Sequence, residues 1–300
     1  MSRTLFYFAC LFGLGLIWGT SIPITKIAVS TGHQPLGLIF WQLFVAVVVL
    51  GVAAWMRGSQ IVIDRRHLTF FLMVTLLGTV VPNSFSYLAA AQLPASVMAL
   101  VIALVPIFSL VVALVIRVET FAPLRVLGVA LGATAIALLV LPDGSLPDAS
   151  KAGWVLIALI APFCYGAEGN YLALKQPADT GPVATLFGAS VVGLILVTPA
   201  TIATGTFIDP FAGFGQAEMA TAATCLIHAV AYLGYIWMVG AAGPVFAAQV
   251  AYLVTPSGVL MSMVLLGEAP SVWLWAALVL LLVGLFLVQP KPETVVLPDA

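Results

Sequence analysis

Three ionisable side chains stand inside long apolar runs of this sequence, at Lys26, Glu168 and His228. Placing such a group in hydrocarbon costs at least about 2.5 kcal/mol, so each is expected to face a cavity or a partner. A carboxyl or imidazole group in that setting can take up and release a proton, and an amine can hold an anion. These residues are therefore the first candidates for proton transfer or ligand binding.

Glu168 lies on a polar and aromatic helical stripe. Tyr165 and Tyr171 stand three residues to either side of it, and Lys175 follows two turns later. One face of this helix could therefore look into a bundle of helices. Two interpretations of Glu168 stay open: a carboxyl group that carries a proton, or a structural ion pair that reaches back towards Lys175.

A second polar stripe surrounds His228. Thr221, Thr224, Tyr232 and Tyr235 recur at intervals of three or four residues along the same run. Facing lipid, the stripe would leave its polar groups unsatisfied, so it should face a cavity or another helix. His228 itself fits either a neutral histidine that is hydrogen-bonded across a helix pair or a group that handles ligand or protons.

Other apolar runs also carry polar and aromatic residues. Asn83 and Tyr87 are one turn apart in the third run, and Pro82 could break that helix locally. Gln249 and Tyr252 add polar groups to the ninth run. We expect the residues that bind a ligand to be Trp18, Ser21, Asn83, Tyr87, Tyr165, Glu168, Tyr171, His228, Tyr232, Tyr235, Gln249 and Tyr252.

Lys26 is near the end of the first run. A lysine in that position can snorkel to the lipid headgroups. The alternative is that its amine meets the carboxylate of a ligand at the mouth of a cavity.

The composition predicts a membrane protein. Hydrophobic residues make up 63% and charged residues 7% of the 300 residues, whereas soluble domains carry about 25% charged residues. The net charge of -1 comes without a basic block, which argues against binding to nucleic acid. The three cysteines are dispersed in apolar runs, which argues against a disulfide framework or a metal site. Nucleotide-binding and zinc-protease motifs are absent, so we expect no cofactor, no metal and no catalytic residue.

Ten apolar runs are long enough to cross a bilayer. We read the first as a membrane helix rather than a cleaved signal, because it continues past Trp18. With both termini in the cytoplasm of an inner membrane, eight of the ten lysine and arginine residues lie on the cytoplasmic side. The runs cover roughly residues 5–29, 36–56, 68–91, 95–116, 121–141, 153–174, 181–203, 217–239, 245–266 and 271–289.

Two stretches of the chain follow the same plan. Pro94 and Pro106 stand twelve residues apart in one apolar run, and Pro244 and Pro256 stand twelve apart in another. One unit of about 145 residues has therefore been used twice. Because Pro106 and Pro256 form a matched pair in mid-run, we expect both to act as hinges, although prolines in membrane helices also serve ordinary packing.

Each repeat contains five predicted crossings, and an odd number inserts the second copy upside down. We divide the chain into a first repeat (1–141), a linker (142–151), a second repeat (152–289) and a cytoplasmic tail (290–300). The predicted fold is an all-α membrane protein of ten transmembrane helices in two inverted five-helix repeats. Such inverted repeats are typical of secondary transporters, which bind substrate where the halves meet and open alternately to either side.

Trp18-Gly19-Thr20 in the first run and Leu266-Gly267-Glu268 at the end of the ninth make the chain resemble the drug/metabolite transporter superfamily, in its EamA-type branch. The resemblance covers about residues 5–289. The first repeat departs from it, because Val118 stands where the second repeat has Gly267. The resemblance implies a transporter of amino acids or related small metabolites, with a central cavity walled by helices 1, 3, 4, 6, 8 and 9.

These observations together favour export of an amino acid or related compound, with a small-molecule substrate and the bilayer as partners. Uptake of a vitamin or nucleoside-like solute is the alternative. A third hypothesis is an intramembrane enzyme that acts on lipid carriers, with Glu168 and His228 as an acid/base pair. Glycines 128 and 132, in a G-x-x-x-G spacing, could pack within the bundle or form a homodimer contact.

Overall fold

The computed structural model describes residues 3–56, 58, 62–211, 213, 215–242, 246–247 and 249–288, with the backbone alone at residues 3, 4, 236, 239 and 240. Within these residues the chain is helical and contains no strand. The helices are α1 Arg3–Ser30, α2 Pro35–Met56, α3 Arg65–Gln92, α4 Ala95–Val115, α5 Pro123–Val140, α6 Ala149–Lys175, α7 Pro182–Ala203, α8 Gln216–Ala242, α9 Ala251–Leu266 and α10 Val272–Val288.

The ten helices follow the ten predicted runs, because each run is apolar along its whole length. Among the described residues, α1 to α8 contain stretches long and apolar enough to cross a membrane, and α9 and α10 are shorter apolar helices. The predicted start of the ninth run at 245, and Pro244 before it, lie outside the described residues. The predicted fold class is confirmed.

The contact between α4 and α9 shows that the repeats are inverted. Glu268, just beyond the end of α9, accepts hydrogen bonds from the backbone N–H groups of Ala95 and Ser96 at the start of α4, at 2.6 and 3.0 Å. The end of one helix thus meets the start of its counterpart. Since α4 and α9 occupy the same position in the two repeats, the repeats run in opposite directions.

Helices α5 and α10 give the same result. The Arg125 Nε, near the start of α5, donates to the Val288 carbonyl at the end of α10. Gly128 lies so close to α10 that a Cβ there would stand 2.7 Å from the Gly284 carbonyl oxygen. Gly132 faces Ile107 of α4. The G-x-x-x-G face predicted for packing or dimerisation is therefore occupied within the chain.

The repeats also exchange helix contacts. A Cβ on Gly19 of α1 would stand 2.6 Å from the Ser257 Cβ of α9, and a Cβ on Gly166 of α6 would stand 2.6 Å from the Ser109 nitrogen of α4. Gly19 and Gly166 are equivalent positions of the two repeats. Glycine lets the backbones approach closely at both places, so each repeat inserts its first helix against the fourth helix of the other.

The turns after α4 and α9 locate the true match between the repeats. Gly267 ends α9 in the left-handed conformation, with φ of 66°, and Arg117 adopts φ of 61° after α4. The number of residues between Arg117 and Gly267 equals the number between the matched prolines Pro106 and Pro256. The counterpart of Gly267 is therefore Arg117 and not Val118, so our sequence alignment of these ends was shifted by one residue.

The bundle has two distinct ends. The linker end contains residues 141–151, the end of α1 and the α3–α4 and α9–α10 turns. The far end contains the starts of α3, α5 and α7. Between them lies the largest apolar core, to which Ile39, Leu100, Leu139 and Leu281 contribute fully buried side chains. This core holds the helices in place around the polar residues described next.

Candidate functional site

A hydrogen-bonded network joins α2, α3 and α6 inside the bundle. The Asn83 side-chain N–H and the Tyr87 hydroxyl both donate to Gln42 Oε1, at 2.9 and 2.7 Å. The Tyr165 hydroxyl donates to Asn83 Oδ1 at 2.6 Å. Asn83 and Tyr87 are buried. The amide of Asn83 thus links the first repeat to the second.

Pro82 explains why the backbone changes next to Asn83. A proline has no N–H and its ring clashes with the carbonyl four residues earlier, which here belongs to Gly78. The chain responds with a π-helical turn at Leu76–Val80, between α-helical segments Arg65–Thr75 and Val81–Gln92. Single π turns inside α-helices are frequent at functional sites. The local break expected from the sequence is therefore present.

The Glu168 carboxyl group packs directly against this π turn. A Cβ on Gly78 would collide with both carboxyl oxygens of Glu168. Pro82 has no N–H to donate to the Gly78 carbonyl, so the regular α-helical hydrogen bond is missing there. The acidic side chain of Glu168, from α6, therefore lies beside backbone that is not in a regular α-helix. No ion pair with Lys175 forms in the described part of the chain. The structural ion-pair interpretation of Glu168 is therefore not supported.

An aromatic group from α1 and α8 lies beside these residues. The Trp18 ring is 5.4 Å from the Tyr232 ring and 6.2 Å from the Tyr235 ring, between centroids. Tyr232 lies within electrostatic range of Glu168 and of Tyr165. We call the assembled group, contributed by α2, α3, α6 and α8, the polar centre: Gln42, Asn83, Tyr87, Tyr165, Glu168 and Tyr232.

Gln42 is a member that the sequence analysis missed. The family resemblance implied walls from six helices, and α2 was not among them. Gln42 is a lone amide within the apolar segment Pro35–Met56, and this isolation was the available signal. Its Oε1 accepts both hydrogen bonds that hold Asn83 and Tyr87 in place, so α2 supports the site.

His228 and Ser21 bond within their own helices. His228 Nδ1 is 2.8 Å from the Thr224 carbonyl oxygen, and the Ser21 hydroxyl donates to the Trp18 carbonyl at 2.6 Å. A carbonyl only accepts, so Nδ1 carries the proton and Nε2 of a neutral ring remains an acceptor. The cross-helix hydrogen bond that we considered for His228 is absent among the described residues.

Three further candidates have different surroundings. The Tyr171 ring stacks on Phe70 with 5.8 Å between centroids and belongs to an apolar cluster of α3, α6 and α7. Gln249 lies in the turn before α9. Tyr252 packs against the main apolar core. The helical stripe correctly placed Tyr165 and Glu168 together but did not show that Tyr171, three residues on, turns towards Phe70.

Comparison with known proteins places this architecture in a family. The sequence model of the EamA-like transporter family matches residues 5–141 and, again, residues 152–289. The chain belongs to the EamA-like transporter family.

Individual relatives agree with this assignment. The chain is 26% identical over 296 residues to the uncharacterised inner membrane transporter YedA of Escherichia coli K12, covering 95% of this chain and 93% of that protein. The same identity and coverage are found with YedA of Escherichia coli O6:H1. A protein of known crystal structure matches 92% of this chain and 96% of its own, with a TM-score of 0.57 and 20% identity; this likeness concerns the fold alone.

Family membership bears on the enzyme hypothesis. The relatives are transporters, so the chain is a multi-pass inner-membrane protein of a transporter family. An acid/base pair would also require Glu168 and His228 to lie within hydrogen-bond reach. No such bond joins them in the described ranges, where His228 bonds to Thr224 instead.

The two hinge candidates of this EamA-family chain differ. Helix α4 is interrupted at residues 103–104 and resumes as Val105–Val115, with Pro106 in its first turn. Helix α9 continues through Pro256 from Ala251 to Leu266. Pro106 thus stands at a break and Pro256 inside a continuous helix. Pro106 and Pro256 occupy equivalent positions in the sequence repeats, but the local backbone structure at the two prolines differs.

Lys26 turns into the protein and not towards lipid headgroups. Its Nζ donates to the carbonyls of Ala90 and Ala91 at 2.6 and 3.1 Å, near the end of α3. A cation is favourable there because the last carbonyls of a helix lack partners and carry partial negative charge. The snorkelling interpretation is therefore wrong, and the amine lines a cavity at the linker end.

At the far end, His67 bridges the two repeats. Its Nδ1 is 2.9 Å from Asp64 Oδ1, its Nε2 is 3.1 Å from Asp179 Oδ1, and the residue is 2% exposed. Asp64 also caps α3 by accepting the His67 backbone N–H. Carboxylate oxygens only accept, so both ring nitrogens carry protons in this arrangement and the ring is a cation. We did not predict a role for His67, Asp64 or Asp179 from the sequence.

The His67 bridge predicts acid-sensitive stability. The pKa of Asp64 is lowered chiefly by the backbone N–H of His67, and that of Asp179 chiefly by the His67 ring, with Arg66 contributing. A lowered pKa in the folded protein stabilises it above the unfolded aspartate pKa of about 4, and this stabilisation is lost as the pH falls through the folded pKa.

We expect H67Q to flatten the decrease in melting temperature between pH 7 and pH 3, measured in detergent. H33Q serves as the matched control, because it removes a second histidine–carboxylate pair, between His33 and Glu218 at the linker end. H33Q should keep the part of the acid sensitivity that comes from the His67 bridge. Identical pH profiles for wild type and H67Q would contradict the prediction.

Proposed function

We propose that the protein is a secondary transporter that exports an amino acid or related small metabolite across the inner membrane by alternating access. The observation that carries the proposal is the polar centre, which lies where helices of two inverted repeats meet. The Glu168 carboxyl beside this hydrogen-bonded network requires a reason, because an ionisable group in a membrane segment is costly. Binding of a polar solute at the junction of the repeats provides that reason.

The chemistry of the polar centre favours a zwitterion with an apolar or aromatic side group. Tyr87, Tyr165 and Tyr232 offer hydroxyl groups and ring faces, and Trp18 lies against Tyr232. Glu168 is the one ionisable carboxylate of the centre. A highly charged solute such as a nucleotide sugar would find few counter-charges there, so it fits less well.

Glu168 is the proposed proton carrier, and His228 remains the second candidate. Glu168 lies against the π turn inside a membrane segment, where a neutral, protonated carboxyl group costs less free energy than a carboxylate. A solute or a conformational change that alters this contact would therefore alter proton binding. We propose that α4, interrupted before Pro106, supplies a bending point for the accompanying motion.

We also propose that both termini lie in the cytoplasm. The described far end carries Arg65, Arg66, Arg117, Arg125 and Lys175, and the linker end carries Lys26 and Lys151. Positive charge is retained on the cytoplasmic side of inner membranes. The far end would then be cytoplasmic, as would the tail at 290–300, which is outside the described residues.

The test is transport by purified protein in proteoliposomes. Vesicles loaded with each of the twenty amino acids, or with nucleosides and vitamins, are assayed for efflux with and without an imposed pH gradient. The proposal expects efflux of at least one amino acid above that of empty vesicles. Selective movement of a nucleoside or vitamin would favour the facilitator alternative, and no protein-dependent flux of any solute would contradict the proposal.

A further inference from the structure

A cavity of about 480 Å³ opens at the linker end, separate from the polar centre. Its walls come from both repeats: α1 and the α3–α4 turn on one side, and the α9–α10 turn on the other, with the linker between them. The volume falls in the range of pockets that hold small molecules, about 300–1,000 Å³. Two amines, Lys26 and Lys151, and two carboxylates, Asp148 and Glu268, line it.

Both carboxylates accept hydrogen bonds from the protein itself. Glu268 accepts the backbone N–H of Ala95 at 2.6 Å and both the N–H and the hydroxyl of Ser96, at 3.0 and 2.6 Å. Asp148 accepts the N–H and hydroxyl of Ser150 at 3.0 and 2.6 Å, which lowers the pKa of its carboxyl group. Both carboxylate oxygens of Glu268 therefore accept hydrogen bonds, whereas at Asp148 only Oδ1 accepts hydrogen bonds from the described residues.

The two amines retain free hydrogen-bonding capacity. Lys26 uses two of its three N–H donors on the Ala90 and Ala91 carbonyls. The Lys151 amine makes no hydrogen bond or ion pair to any residue that the structure describes, and the residue is partly buried. Lys26 also lies within electrostatic range of the Glu268 carboxylate and, with a smaller effect, of Lys151. The unused N–H donors of the two amines favour an anion in this cavity.

We infer that the cavity binds the carboxylate of the transported solute at the linker-end mouth, with Lys26 and Lys151 as its counter-charges. The inference rests on the proposed function and narrows it to solutes that carry a carboxylate. The hydrogen bonds to Glu268 and Asp148 do not cancel their charges, so the two acids offset the two lysines, and the solute carboxylate would be held chiefly by the unused N–H donors of Lys26 and Lys151. A solute would thus be held at this mouth before or after it reaches the polar centre.

The test uses the purified full chain in detergent. Binding is measured as thermal stabilisation by each of the twenty L-amino acids, each compared with its carboxamide, and by inorganic phosphate. We expect at least one amino acid to stabilise the protein more than its carboxamide does. K151Q should weaken that amino acid about tenfold in apparent Kd and leave the carboxamide unchanged, and K151R should restore binding.

K26Q is a second variant, because glutamine keeps an N–H for the α3 carbonyls while it removes the charge; it should weaken the acid similarly. K175Q, at the far end, is the matched control. The inference is overturned if acids and amides stabilise equally, if the preference for the acid survives in K151Q, or if only phosphate binds. Carboxylate binding that depends on Lys151 without transport in vesicles would contradict the proposed function and leave this site standing.

Discussion

E168Q is expected to abolish the pH dependence of transport while the protein remains folded. Glutamine has nearly the shape of glutamic acid and cannot release a proton. If one proton moves per solute, a gradient of one pH unit drives about tenfold accumulation, and E168Q should reduce that factor to about one. The measurement is solute accumulation in proteoliposomes at a series of imposed pH gradients.

The control for E168Q is E119Q. Glu119 pairs with Arg125 near the far end, at 2.7 Å. The E119Q substitution should therefore leave proton coupling unchanged. G78A is a second probe, because an added Cβ displaces the Glu168 carboxyl from the π turn; it should weaken coupling without removing the acid. Unchanged pH dependence in E168Q would rule out Glu168 as the proton carrier and leave His228 as the candidate.

N83L is expected to reduce transport about 10- to 100-fold. Leucine removes both hydrogen bonds of the Asn83 amide and leaves the Tyr165 hydroxyl without its acceptor. A buried polar group left without a partner costs about 1–3 kcal/mol, and each 1.4 kcal/mol corresponds to a factor of ten. The initial rate of solute flux in proteoliposomes, normalised to folded protein, measures the effect.

Two variants calibrate N83L. Y165F removes only one hydrogen bond of the network and should have a smaller effect than N83L. S84A alters the neighbouring residue, whose hydroxyl bonds within α3 to the Val80 carbonyl, and should transport as wild type does. If S84A and N83L behave alike, the network has no specific part in transport.

The fold was predictable because hydrophobicity and repetition are strong signals in a membrane chain. Each apolar run became a helix, and the matched prolines located the repeats. The signal failed at the ends: the alignment of Val118 with Gly267 missed that Arg117 adopts the left-handed conformation. A non-glycine residue in that conformation is uncommon, so residue type misled the comparison.

The site was only partly predictable. Polar spacing correctly placed Asn83, Tyr87, Tyr165 and Glu168 towards the bundle interior, since the helical period determines which face a residue shares. It could not choose a partner for each side chain, and partners depend on packing between distant helices. Gln42 was therefore missed.

Lys26 and Tyr171 show the same limit. The position of Lys26 near a helix end suggested the lipid headgroups, but the end of α3 lies within reach of its amine. Tyr171 shares a stripe with Glu168, but its ring stacks on Phe70. Neither contact can be derived from the run that contains the residue.

We propose that two inverted repeats expose one polar centre alternately to the two sides of the membrane. The direct measurement is labelling of Y232C, with Cys10, Cys164 and Cys225 replaced by serine, by an impermeant maleimide added to either side of oriented vesicles. L260C, exposed on the surface of α9, is the control facing lipid. We expect Y232C to react from both sides and L260C from neither; reaction of Y232C from one side only, or from neither, would contradict alternating access.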